Sequence, residues 1–184
     1  SLSLSLSLSL SLRWNLMSRD RRIYISVIGS GQASPTEEKL AEEVGRILAE
    51  RGAIIVCGGL QGVMAAACRG AKSADGLTIG VLPGENHADA NPWVDIQVPT
   101  GLGYARNTIV VKAGLAVIAI AGAFGTLSEI GHALGDGKTV VGLQTWELTR
   151  SGVSDNRIIR ASTPSEAVDL ALAAAHRHAA NEVT

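Results

Sequence analysis

Four short apolar runs, each closed at a glycine turn, constrain this chain more than any other feature. The first, Ile23 to Ile28, ends in Gly29-Ser30-Gly31. Ser34-Pro35-Thr36-Glu37 then supplies an N-cap, a proline at the first helical position and a capping-box glutamate. Leu40, Val44, Ile47 and Leu48 follow on one helical face, and Gly52 stops the helix. The second run, Ala53 to Cys57, ends in Gly58-Gly59 and precedes Val63, Met64, Ala67, Cys68 and Ala71, again one face of a helix. The third, Thr78 to Leu82, closes at Pro83-Gly84. The fourth, Leu115 to Ala121, closes at Gly122; Gly125-Thr126 then opens a helix expected to place Leu127, Ile130 and Leu134 inward and to stop at Gly135.

The segments between add to this rhythm. Glu85 to Thr100 is polar and turn-rich, with a short strand expected at Asp95–Val98, and Tyr104 to Ala113 reads as a helix. Lys138 to Leu143 and Arg157 to Arg160 read as strands. Thr163-Pro164-Ser165-Glu166 repeats the earlier helix start, and a final helix runs from Ala167 to about Ala175. Strands alternating with helices form a parallel sheet covered on both faces, with right-handed crossovers. The fold class is therefore α/β, a Rossmann-like three-layer sandwich with an open, mainly parallel sheet. The length of 184 residues suits one domain. Residues 1–16 begin with six Ser-Leu repeats and lack the basic leader, continuous apolar stretch and small-residue cleavage site of a secretory signal. They are read as a non-native or disordered N-terminal extension, with Met17 as a candidate natural start and residues 17–184 as the single domain.

Composition narrows the function. With 3 Trp, 2 Tyr and 1 Phe and a net charge of −1, the chain lacks both the aromatic platform and the basic face of a nucleic-acid binder. The longest run free of strongly polar residues, Ala113 to Gly125, falls short of the ~18 residues that span a bilayer, so no membrane partner is expected. Cys57 and Cys68 make neither a disulfide framework nor a metal knuckle; they read as buried, reduced packing residues in a cytoplasmic protein. No metal site is expected, since His87, Asp89 and Asp95 share a loop without ligand spacing. Glu85–Thr100 is expected to form a mobile pocket lid, with Trp93 covering a flat ring or packing beneath the loop.

Ligands of open α/β sheets bind at the carboxyl ends of the strands. Gly29, Gly31, Gly58, Gly59, Gly84, Gly122 and Gly125 all fall there, where helix N-termini aim backbone N–H groups and partial positive charge at a guest anion. Phosphate is the natural guest. The dinucleotide fingerprint is not met: Ser34 stands where Gly or Ala belongs, and Cys57-Gly58 replaces the acid at the second strand tip. The Walker pattern and any motif for a pyridoxal lysine are also missing. Two segments are more specific: Gly103-Tyr104-Ala105-Arg106-Asn107, and Ala121 through Glu129, which reads AGAFGTLSE. Thr126 can bond a phosphate or cap its helix, Glu129 lies one turn further in, and Arg106 can pair with a phosphate bidentately. The expected binding set is Gly29, Ser30, Gly31, Gly58, Gly59, Arg106, Asn107, Gly122, Gly125, Thr126 and Glu129. The bland alternative is a row of tight βα turns, a solvated carboxylate at Glu129 and a surface ion pair at Arg106.

At these residues the sequence resembles the SLOG superfamily, and within it the molybdenum-cofactor-carrier branch. That branch is similar in its GYARN-type segment, its GGxGTLSE-type turn and its GKPVVGL-type strand, here Gly137-Lys138-Thr139-Val140-Val141-Gly142-Leu143. The resemblance covers roughly Ile23 to Leu143. It implies a Rossmann-like fold, a homo-oligomer (dimer or tetramer) and a pocket for a phosphorylated small molecule. The expected function is a binding or carrier protein for molybdenum cofactor or a related pterin or nucleotide, with no cofactor required for chemistry. The alternative comes from the sister branch, the Lonely Guy phosphoribohydrolases, which cleave nucleoside 5′-monophosphates. Arg106 and Glu129 match its Arg and Glu and would then be catalytic, whereas Asn107 stands for its Lys, Ala121 for its Pro and Ala123 for its second Gly.

Overall fold

The computed structural model describes residues 22–181, so the reading of residues 1–16 and Met17 lies outside the described residues. In chain order the elements are β1 (Tyr24–Gly29), α1 (Pro35–Glu50), β2 (Ile54–Cys57), α2 (Val63–Ser73), β3 (Thr78–Leu82), β4 (Ile96–Pro99), α3 (Asn107–Ala113), β5 (Ala116–Ile120), α4 (Phe124–Gly135), β6 (Val140–Leu143), β7 (Leu148–Arg150), β8 (Val153–Asp155), β9 (Ile158–Arg160) and α5 (Pro164–Asn181). Short 3-10 turns occupy His87–Asp89 and Gly103–Arg106.

Seven strands form one sheet in the order β4-β3-β2-β1-β5-β6-β9, and every pair is parallel. The sheet is thus wholly parallel rather than mainly so. The chain lays strands outward from β1 on one side, then returns to place β5 on the other, with Gly29 opposite Ile120. The switch in strand order therefore lies between β1 and β5. Alternate residues of these strands feed two layers. Ile25, Val27, Ile55, Cys57, Ile118 and Ile120 pack with α1, α2 and α5. Ile28, Val56, Val117, Ala119 and Val140 pack with α3 and α4. Burial on both faces is why the strands read as continuous apolar runs. Helices α1 and α2 touch backbone to backbone: a Cβ on Gly70 would lie 1.8 Å from the Glu42 carbonyl oxygen. Cys57 and Cys68 are buried and free, their sulfurs 3.6 Å apart, and the hydrogen bond with Cys57, followed by burial, pushes the Cys68 thiol pKa up.

Local signals set the helix starts. At α1 the Ser34 hydroxyl accepts from the Glu37 N–H at 3.3 Å, and the Glu37 carboxylate accepts from the Ser34 N–H at 2.7 Å. At α5 the Thr163 hydroxyl accepts from the Glu166 N–H, but the Glu166 carboxylate reaches one residue further back, to the Ser162 N–H. Three expectations shift. The helix expected over Tyr104–Ala113 opens as a 3-10 turn and becomes α-helical from Asn107. Helix α5 runs to Asn181, beyond Ala175. The buried face of α4 carries Thr126, Glu129, Ile130 and Ala133, while Leu127 and Leu134 are half-buried. A hairpin, β7–β8, was not expected; its turn residues Ser151 and Gly152 both have positive φ, 52° and 79°, as a two-residue hairpin turn requires.

Candidate functional site

A cavity of about 430 Å³ opens at the carboxyl ends of the strands, beside the switch between β1 and β5. Its first wall is the turn after β1. Gly29 is glycine because three elements converge there: a Cβ would lie 2.4 Å from Val63 Cγ1 and 2.6 Å from the Ile120 carbonyl oxygen. The Ser30 carbonyl accepts from the Val63 N–H at 2.9 Å, and its hydroxyl accepts from the Gln32 N–H at 3.0 Å. Ser30 therefore braces the turn, and Gly31 lines the cavity beside Met64, whose Cε would lie 3.8 Å from a Cβ built there.

The second wall is the start of α4. Its N-cap is Ala123, which has no side-chain acceptor, and the first helical bond runs from the Leu127 N–H to the Ala123 carbonyl at 3.0 Å. The amides of Phe124, Gly125 and Thr126 precede that bond. A helix start left this way presents donors and partial positive charge. Gly125, Thr126 and Ala123 line the cavity, and nothing lies within 4 Å of a Cβ built on Gly125. The Thr126 side chain is buried, and its hydroxyl makes no hydrogen bond with a described residue. The approach to α4 is strained: Ala121 has φ 47°, a left-handed conformation that costs a non-glycine residue about 1 kcal/mol. The loop after β6 holds it, since the Thr145 hydroxyl donates to the Ala121 carbonyl and Trp146 Nε1 donates to the Ala123 carbonyl at 3.2 Å.

Arg106 and Glu129 complete the site. Arg106 is 7% exposed and Glu129 6%, which replaces the readings of a surface ion pair and a solvated carboxylate. Arg106 Nη2 donates to the Gly58 carbonyl at 3.3 Å, Nη1 donates to Asn107 Oδ1, and Nε is buried without a partner. A buried donor left unpaired costs about 1–3 kcal/mol. Glu129 makes no hydrogen bond with a described residue and no ion pair with Arg106 within 4 Å. Burial raises its carboxyl pKa to about 8, with Arg106 pulling the other way. Burial also lowers the Arg106 pKa, opposed by Glu129 and Cys57.

Of the expected residues, Gly29, Ser30, Gly31, Arg106, Asn107, Gly125, Thr126 and Glu129 line this one cavity. Gly58, Gly59 and Gly122 do not. Gly58 lies behind Arg106, where a Cβ would come within 2.7 Å of Nη2. Gly59 shapes the β2–α2 turn against Leu82, and Gly122 passes beneath the Thr126 side chain. Gly84 is also outside the lining, and so is all of Glu85–Thr100, so that loop does not cover the cavity. Trp93 packs against the core with Arg69 5.3 Å above its ring. Asp95 is taken by Lys72 and Thr78, and no group of three or more potential metal ligands occurs among the described residues. Sequence reasoning missed Leu60, Met64, Pro83, Gly103 and Tyr104 as lining. Leu60 and Pro83 could have been found, since each stands in the first residues after a strand.

The arrangement can receive an anion. It offers helix-start amides, a hydroxyl and a guanidinium, beside the apolar surfaces of Leu60, Met64 and Pro83. The volume falls within the ~300–1,000 Å³ usual for small-molecule sites. A structure of the molybdenum cofactor binding protein from Rippkaea orientalis is similar, with a TM-score of 0.76 and 38% identity over 84% of this chain and 98% of that one. The molybdenum cofactor carrier protein of Chlamydomonas reinhardtii is similar too, with a TM-score of 0.75 and 31% identity over 85% and 99%. DNA processing protein A of Helicobacter pylori, at 20% identity and a TM-score of 0.62 over 84% and 82%, shares the fold alone. An uncharacterized protein of Archaeoglobus fulgidus is 42% identical over 120 residues, 65% of this chain and 79% of that protein. The SLOG cluster4 family model matches residues 22–168, and with the fold and motifs above it the chain belongs to the SLOG cluster4 family.

Proposed function

We propose that this protein binds and carries a phosphorylated small molecule, the molybdenum cofactor or a related pterin or nucleotide. The phosphate rests on the turn Gly29–Gly31 and on the part of the Gly122–Thr126 turn that lines the cavity, Ala123, Gly125 and Thr126, and is neutralised by Arg106. The observation that carries this reading is one convergence: the uncapped start of α4 and the buried Arg106, whose Nε has no hydrogen-bond partner, line the same cavity. A phosphate oxygen accepts from both kinds of donor at once. Leu60, Met64 and Pro83 leave an apolar wall for the ring system. The molybdenum cofactor binding protein of Rippkaea and the carrier protein of Chlamydomonas support the ligand class. Gly58, Gly59 and Gly122 act from behind the lining, and Asn107 acts by holding Arg106. We further propose a homo-oligomer, a dimer or tetramer, in the cytoplasm. No helix among the described residues is long and apolar enough to cross a membrane.

One observation favours the hydrolytic alternative: a buried glutamate titrating at about 8 beside the cavity has the tuning of a general acid. Two experiments separate the readings. Native mass spectrometry of protein purified without stripping, followed by denaturation, identifies what is released; a phosphorylated pterin or its oxidised fluorescent product supports the carrier. Incubation with adenosine or guanosine 5′-monophosphate tests the other; release of free base, lost in Glu129→Gln, would replace the carrier reading with hydrolysis.

A further inference from the structure

The carrier reading leaves one buried group without a task. Glu129 is 6% exposed, lines the cavity and has no hydrogen-bond partner among the described residues. Its place on α4 is informative. It follows Thr126 by three residues and Gly125 by four, so all three share a helix face. Side chains on a helix lean toward its N-terminus, which carries the carboxyl back toward the first turn, where the free amides are. An ionised carboxylate there would repel a phosphate across a poorly screened gap. A protonated carboxyl turns the same approach into a strong O–H···O⁻ bond.

Resting on the phosphate reading above, we infer that Glu129 belongs to the phosphate site as a hydrogen-bond donor: its protonated carboxyl bonds a phosphate oxygen, so the cargo is retained at neutral pH and released as the carboxyl ionises. The surroundings support the protonated form. Burial raises the carboxyl pKa to about 8, and Arg106, in the turn before α3, opposes it. The other titratable groups on this side are the Cys57 thiol at the end of β2, which senses the Glu129 charge, and the Tyr104 phenol on the cavity wall. The turn after β1 and the cavity-lining Met64 of α2 bring none. The proton balance is simple. Near pH 7 the neutral carboxyl meets a phosphomonoester dianion and no proton enters or leaves solution. Above about pH 8 binding must take up one proton, so affinity falls about tenfold per pH unit.

The test uses methyl phosphate, whose dianion carries no proton of its own. Its affinity is measured from pH 6.5 to 9.5 for the full chain and for Glu129→Gln, whose amide donates at every pH. The expected result is a wild-type affinity that falls above about pH 8 and a Glu129→Gln affinity that stays level. Parallel profiles would overturn the inference while leaving the phosphate site standing. Failure of both proteins to bind at any pH would remove the phosphate reading and this inference together. Infrared spectroscopy of the wild type gives an answer even if the variant fails to fold. A protonated-carboxyl band should persist above pH 7 and shift on adding methyl phosphate; its absence at neutral pH would overturn the proposal.

Discussion

Helices α1 and α4 both rise from the carboxyl edge of the sheet, after the adjacent strands β1 and β5, yet their N-termini are finished in opposite ways. At α1 the chain closes the end itself, with Ser34 and Glu37 satisfying each other's backbone donors. At α4 the cap position is Ala123, which offers nothing, and the next residues open onto the cavity. The glutamates differ too. Glu37 is a half-buried cap partner, whereas Glu129 is buried and unpartnered. A closed helix end is complete as folded. An open end beside a buried cation leaves donors that a guest could use, and under the proposed function that difference marks the site better than any count of glycines.

The largest expected effect concerns the two glutamates. Native Glu129 keeps its proton between pH 4.5 and about 8, where the unfolded chain has lost it. Unfolding then releases a proton, so stability declines as pH rises through that window and levels off above it. Glu129→Gln should abolish that decline and exceed the wild type by a few kcal/mol at pH 8.5, while Glu37→Gln leaves the pH slope in place; urea denaturation at pH 5 and 8.5 decides. Next comes the cation. Arg106→Ala should weaken binding of the copurified ligand about 100-fold, roughly 3 kcal/mol, as expected for truncating a buried charge against an anion. An unchanged affinity by calorimetry would separate the open helix end from its supposed guest.

Making α4 resemble α1 gives a smaller effect of two signs. Ala123→Asp supplies an N-cap acceptor and a negative charge, so it should stabilise the free protein by about 1 kcal/mol and weaken ligand binding about tenfold or more. Thermal denaturation with and without ligand reads both. The smallest change is the reverse. Ser34→Ala opens the α1 end and should cost about 1 kcal/mol of stability. Ligand affinity should not move, because Ser34 is outside the cavity lining; a loss of affinity would mean that the α1 end also serves the ligand.

These contrasts explain how far the sequence could be read. Ser34-Pro35-Thr36-Glu37 announced α1 because a cap is written within four residues. The β1 and β5 runs were legible because burial on both faces demands unbroken apolar sequence. The turn glycines were legible as a group, but not their separate tasks. Gly31 and Gly125 line the cavity, whereas Gly58 and Gly122 make room for Arg106 and Thr126 from behind. Nothing local distinguishes these, since each depends on what a distant element places beside it. The expectation that Glu85–Thr100 would cover the pocket met the same difficulty: Asn91 ties that loop to the Gly59 and Leu60 carbonyls, and none of its residues lines the cavity.

The sequence by itself determined the strand and helix order, the parallel sheet and the edge at which the cavity opens, because periodicity, caps and glycine turns act over a few residues. The tertiary structure decided the state of the site. Arg106 is held by Gly58, 48 positions away, and the start of α4 by Thr145 and Trp146 from the loop after β6. Burial of Glu129 needs α4 packed beside that guanidinium. Charge, solvation and hydrogen-bond supply at a site are sums over elements far apart in the chain, so they exist only once the sheet has brought those elements together.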